Sequence, residues 1–99
     1  MTISKKMDGD KMVMALEDRL DTITAPQLEN EFKVCLYEVK ELVLDLEKLE
    51  YLSSAGLRVL LTAQKQMEKQ GGEMVVKNAN ETIMEVFEVT GFVDIITIK

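Results

Sequence analysis

Histidine does not occur anywhere in these 99 residues. Its absence removes catalytic triads built on imidazole, histidine metal sites and phosphohistidine carriers. Cysteine occurs once, as Cys35, so no intramolecular disulfide and no Cys pair can form. No Gly-rich phosphate loop is present either. An enzyme is therefore not expected, nor is a cofactor or a bound metal. Basic residues are outnumbered, twelve Lys and Arg against eighteen Asp and Glu, for a formal net charge of −6. Such a chain gains nothing from counterion release, so neither nucleic acid nor an anionic membrane surface is an expected partner. No apolar run approaches transmembrane length, and the polar, charged opening segment is unlike a signal peptide. The expected compartment is the cytoplasm.

What is present is enough apolar residue, 46%, for one core but not two, so residues 1–99 are expected to form one domain. Ile3 to Met7 reads as a short strand and Asp8-Gly9-Asp10 as a hairpin turn. Met12, Met14 and Leu16 alternate with Val13, Ala15 and Glu17, an interior strand apolar on both faces for most of its length. Asp18 to Thr22 reads as a polar loop. Thr24-Ala25-Pro26-Gln27 fits a capping box with Pro in the first helical turn, and Ile23 with Leu28 fits a hydrophobic staple. Leu28, Phe32, Cys35, Leu36 and Val39 repeat at helical spacing, which makes Cys35 a small core residue. Leu42 to Leu46 is a nearly continuous apolar strand, interrupted by Asp45. A second helix is predicted over residues 54–70, closed by Gly71-Gly72. Met74 to Val76 is a short buried strand. Asn80 caps a third helix carrying Ile83, Met84, Phe87 and Val86, and Phe92 to Ile98 is a last, β-branched strand. The order β-β-α-β-α-β-α-β argues an α/β domain: a mixed sheet with parallel crossovers, an opening hairpin, and helices on one or both faces.

The chain turns on the stretch Leu49 to Leu61, where a strand gives way to a long amphipathic helix through Tyr51-Leu52-Ser53-Ser54-Ala55-Gly56. A helix start presents free N–H groups and the positive end of a dipole. One reading is that a serine simply caps the helix. The other is that a serine here carries a phosphate, which such a site accommodates. On a wheel of about 100° per residue, Leu60, Ala63 and Met67 mark the core side. Ser54 falls on a stripe with Leu57, Leu61, Arg58 and Lys65. The two leucines either widen the buried face or form an apolar patch flanked by charge.

Several separated motifs resemble the STAS domains of bacterial anti-sigma factor antagonists. They are Ala15 to Asp21, Leu42 to Leu46, Tyr51 to Leu57, Gly71 to Val76 and Phe87 to Phe92, spread in the family's order over nearly the whole chain. The resemblance implies a cytoplasmic protein that binds an anti-sigma factor with serine kinase activity and so regulates sigma-factor release and transcription. That kinase phosphorylates the antagonist on a serine at the start of the second helix, the phosphorylated form lets go, and a phosphatase restores it. The family's modified residue is commonly preceded by Asp or Ser and followed by Ser, Thr or Ala and then Gly, which points to Ser54. Two residues depart from the family pattern. Asp18 stands where Gly is frequent. Ser53 stands where Asp is frequent, which leaves Ser53 as a rival acceptor.

The resemblance and the wheel together give a partner surface of Asp21, Ser53, Ala55, Gly56, Leu57, Arg58, Leu61 and Lys65. Gly56 in a first helical turn costs about 1 kcal/mol relative to Ala, and is expected to let a partner's backbone or nucleotide approach closely. Asp21 and Asp45 are expected near strand ends beside Ser54. Asp21 would shape its loop or meet the partner, and Asp45 would hydrogen-bond the loop before the second helix. With no third ligand, a metal-assisted phosphoryl site is disfavoured. The chain is expected to be a monomer or weak dimer. A second reading is a STAS ligand-sensing or scaffold module of another bacterial signalling pathway.

Overall fold

The computed structural model describes every residue from Met1 to Lys99. Strands β1 (Thr2–Asp8) and β2 (Lys11–Leu20) form the opening hairpin. Helix α1 (Ala25–Cys35) leads to β3 (Glu41–Leu52), and α2 (Ser54–Lys69) to β4 (Glu73–Lys77). Helix α3 (Glu81–Val89) leads through a 3-10 turn (Phe92–Asp94) to β5 (Thr97–Ile98). The observed order is the expected β-β-α-β-α-β-α-β.

β1 pairs antiparallel with β2, and β2 to β5 follow as parallel neighbours, so the sheet runs β1-β2-β3-β4-β5. The parallel strands are laid down in one direction across the sheet. Right-handed crossovers between them must then all pass over the same face. That face is the buried one. Met12, Met14 and Leu16 of β2, Leu42 and Leu44 of β3 and Met74 and Val76 of β4 share one core with Leu28, Phe32, Leu60, Met67, Ile83 and Phe87 of the helices. Val43 and Val75, one residue out of phase, lie on the other face and outside this core. The topology also brings the starts of all three helices to one end of the molecule, beyond the C-terminal ends of the parallel strands.

Four local readings are corrected. The segment Asp18 to Leu20 is strand, not loop. β2 stays paired with β3 as far as Leu20↔Leu52, through two register shifts at which β3 carries an extra residue. The bulges explain why Leu46, Leu49 and Leu52 are all buried at a spacing of three, a pattern that hides a strand from period-two reading. At the second irregularity Asp18 takes φ +76°, the left-handed backbone that Gly adopts without strain. Second, α1 has no capping box. The Thr24 side chain makes no cap bond, and Ile23 is 87% exposed, so no staple forms. Third, the last strand shrinks to Thr97–Ile98. Ile95 and Ile96 N–H groups bond back to Phe92 O at 3.0 and 3.1 Å, and the Phe92 ring packs 5.5 Å from Phe87. Tertiary contact overrides β propensity there. Fourth, Cys35 is half-buried rather than core, its Sγ donating to Glu31 O at 2.8 Å.

Candidate functional site

The two serines at the β3–α2 junction have different environments. Ser53 is half-buried, its N–H extends the sheet by donating to Leu20 O at 2.9 Å, and its Oγ accepts from Gly56 N at 3.3 Å. Ser53 is the helix cap. Ser54 is the first helical residue, is exposed, and its hydroxyl enters none of the side-chain hydrogen bonds of the chain. The N–H groups of Ser54 and Ala55 belong to the first turn, where intrahelical acceptors are missing. The capping and the acceptor readings therefore fall on neighbouring serines rather than competing for one.

Gly56 faces inward. A Cβ built on it would stand 2.5 Å from Leu20 Cγ and 2.9 Å from both Leu20 O and Leu52 Cδ1. The close approach that Gly56 permits is thus between α2 and the end of β2, not between this protein and a partner. The wheel carried that signal, since Gly56 lies at nearly the azimuth of Leu60 and Ala63. Val59, four residues before Ala63 and so close to it in azimuth, is buried as well.

The outward stripe of α2 is where the wheel put it. Arg58 and Lys65 are exposed and take part in none of the chain's ion pairs. Leu57 and Leu61 are half-buried: they pack on the edge of the core and also line a groove. Ser54, Leu57, Arg58 and Leu61 form one wall of that groove, and Thr90, Phe92 and Ile95 the other, around about 250 Å³. The sequence reading missed the second wall because it placed Phe92 to Ile98 in a strand. Ala55 is half-buried beneath the same turn.

Asp21 shapes its loop. Its Oδ1 accepts from Thr24 N at 3.1 Å and Ile23 N at 3.0 Å, and Thr24 Oγ1 accepts from Asp21 N at 2.9 Å. The Thr24 amide bond above all, with those from Ile23 N–H, the Thr24 hydroxyl and Arg19, lowers the Asp21 pKa below the ordinary carboxylate value. Because Leu20 pairs with Leu52, Asp21 and Ser53 leave the sheet side by side. Arg19 lies over the Tyr51 ring at 4.3 Å and bonds Asp21 Oδ2 at 3.5 Å, a pair of residues the sequence did not single out.

Asp45 is elsewhere. It sits in β3 seven residues before Leu52, about 23 Å away along an extended strand. Its Oδ1 accepts from Asn78 Nδ2 at 3.0 Å and Glu47 N at 3.1 Å, bracing the turn after β4, where Asn78 takes φ +61°. The Asn78 bond lowers the Asp45 pKa. The expectation that Asp45 joins the loop before α2 is corrected, and Asp21 and Asp45 do not converge on Ser54. No helix is long and apolar enough to cross a membrane.

Comparison with known proteins bears on the family and the fold. The family model described as STAS domain matches residues 2–99. BtrV of Bordetella bronchiseptica, named as an anti-sigma factor antagonist, is 38% identical over 91 residues, covering 91% of this chain and 78% of that protein. The anti-sigma-B factor antagonist of Listeria monocytogenes is 34% identical over 98 residues, covering 96% of this chain and 84% of that one. The anti-sigma factor antagonist SpoIIAA, solved in its unphosphorylated form, matches with a TM-score of 0.86 at 19% identity, over 99% of this chain and 88% of that one. Identity at that level speaks to the fold alone.

Proposed function

The chain belongs to the STAS domain family, and from that premise we propose that it is an anti-sigma factor antagonist switched by phosphorylation of Ser54. Its partner is an anti-sigma factor with serine kinase activity, bound through Asp21, Ser53, Ala55, Leu57, Arg58, Leu61 and Lys65, with Gly56 seating the helix beneath them. Binding frees a sigma factor for transcription in the cytoplasm, and a phosphatase resets the modified form. The protein acts alone or as a weak dimer.

The observation that carries this reading is the division of labour between the serines. Ser53 spends its Oγ on the cap, while Ser54 holds a free, exposed hydroxyl beside an apolar groove and an unpaired arginine. A phosphate adds about −1.5 to −2 charge at pH 7. The helix start tolerates that charge, so the modification need not disturb the fold. At an interface the same dianion, desolvated and unpaired, costs a few kcal/mol. Since about 1.4 kcal/mol is tenfold in affinity, loss by a factor of a hundred is within reach without refolding.

The test is incubation with ATP and candidate kinase-fold anti-sigma factors, followed by mass spectrometry and binding measurements. Wild type and Ser53→Ala should be modified on Ser54. Ser54→Ala should fold, bind and stay unmodified, and Ser54→Asp should bind more weakly than Ser54→Ala. Phosphate on Ser53 that persists in Ser54→Ala would overturn the assignment of the acceptor.

A further inference from the structure

The fold leaves few large apolar side chains exposed: Met7, Ile23, Val34, Tyr37, Tyr51, Val89 and Ile95. Their distribution is uneven. Met7 faces Met12 at the start of β2, and Val34 and Tyr37 lie where α1 returns toward the start of β3, all at the end away from Ser54. Val89 closes α3 and borders Thr82, Glu85, Val86 and Thr90 rather than Ser54. The other three are tied to the Ser54 end. Tyr51 stands at the end of β3, Ile95 lines the groove with Ser54, and Ile23 lies in the turn after β2. Single exposed apolar residues are ordinary. Three of them around one candidate acceptor are a patch of the kind that marks a protein interface.

Ile23 is the member of this set with the least to do in the fold. It is 87% exposed, and the staple its sequence position suggested does not form. Yet the backbone that carries it is held firmly. Asp21 Oδ1 receives both Ile23 N and Thr24 N, Ala25 N bonds Asp21 O at 2.8 Å, and Thr24 Oγ1 donates to Arg19 O at 2.9 Å. A β-branched side chain on a fixed turn has little freedom left to lose on binding. The sheet order sets its place. Ser54 follows β3, the turn carrying Ile23 follows the neighbouring β2, and Ile95 precedes β5 on the opposite side. Ile23 and the Leu57–Ile95 groove therefore flank Ser54 from two sides.

We propose that Ile23 is a second anchor for the anti-sigma factor, entering an apolar socket on that partner while the α2 groove is engaged on the other side of Ser54. This rests on the reading of Ser54 above and extends the interface to a residue that neither the motif nor the helix stripe includes. It also places Ser54 between two apolar contacts, the central and desolvated position at which an added charge disrupts binding most.

The test uses the full chain in a Ser54→Ala background, so that phosphorylation plays no part. The probe is the anti-sigma factor that the phosphorylation assay above selects. Ile23→Ala should leave the melting temperature unchanged and weaken binding by about tenfold or more, and Ile23→Leu should restore most of the loss. Affinity unchanged in Ile23→Ala, with Ser54→Ala still binding, overturns the anchor and leaves the Ser54 reading standing. Failure of Ser54→Ala itself to bind any anti-sigma factor overturns that reading, and the anchor with it.

Discussion

The inner and outer faces of the first three turns of α2 belong to one helix and serve opposite purposes. Inward, Gly56, Val59, Leu60 and Ala63 are buried, and Gly56 has no side chain because Leu20 and Leu52 occupy the space. Outward, Ser54, Leu57, Arg58 and Leu61 border a groove and carry a hydroxyl and a guanidinium that the fold does not use. The contrast shows that neighbouring positions of a single motif do not share a role. Ser54 and Gly56 are two residues apart and point to opposite surroundings.

Variants can break that comparison. Leu60→Ala, at a fully buried position, should cost about 2–5 kcal/mol of stability and leave the affinity of the folded fraction unchanged. Denaturant melts and titration on the same sample check both halves. Gly56→Ala comes next. Helix propensity alone would favour Ala by about 1 kcal/mol. The added methyl, however, meets a branch carbon and a backbone oxygen that cannot swing away, so a net loss of about 1–3 kcal/mol is expected. A Gly56→Ala protein that melts normally but fails to bind would move Gly56 to the outer face. Leu57→Ala should cost roughly 1 kcal/mol, part of the 1.5–3 kcal/mol for a fully buried leucine, and weaken binding by a larger factor. Normal affinity in that variant would remove the groove from the interface.

The smallest expected effect concerns pH and compares the two aspartates. Both have folded pKa values below the unfolded carboxylate value, Asp21 through the Thr24 amide and Asp45 through Asn78. Each therefore stabilises the fold above the ordinary carboxylate range, and that contribution is lost as pH falls through the lowered value. Melting temperature followed from neutral to strongly acid pH should drop less steeply in Asp45→Asn than in wild type. In Asp21→Asn the acid limb should change in the same sense, and binding measured at neutral pH should weaken, because the amide keeps the Oδ1 acceptor of the Ile23 turn but removes the charge that Asp21 brings to the proposed partner surface and its ion pair with Arg19. Equal binding by Asp21→Asn and Asp45→Asn would erase the functional distinction between the two acids.

Much of this was legible in the residues. The Asn80 cap of α3 is present, its Oδ1 accepting from Ile83 N at 2.8 Å, and α2 starts at Ser54 as its spacing predicts. The start of α1 was misread because Thr24-Ala25-Pro26-Gln27 has the composition of a capping box, whereas Asp21, three residues earlier, already occupies the Thr24 amide. β3 was read short because its bulges replace period two with period three. Of the site, the outward stripe was visible and the second groove wall was not, since Phe92 and Ile95, far along the chain, face Ser54 only across the groove.

What the sequence determined by itself is therefore short-range: helix periodicity, a serine pair at a helix start, the acid excess and the absence of histidine. Caps and stripes depend on residues a few positions apart, whose geometry a helix fixes in advance. The tertiary structure decided which serine is tied up and which is free, which way Gly56 faces, and where Asp45 stands. It also set Ile95 across a groove from Ser54, and the turn carrying Ile23 after the strand that pairs beside Leu52. Those outcomes depend on one-directional strand order and right-handed crossovers, which join residues dozens of positions apart, and no local pattern encodes that pairing.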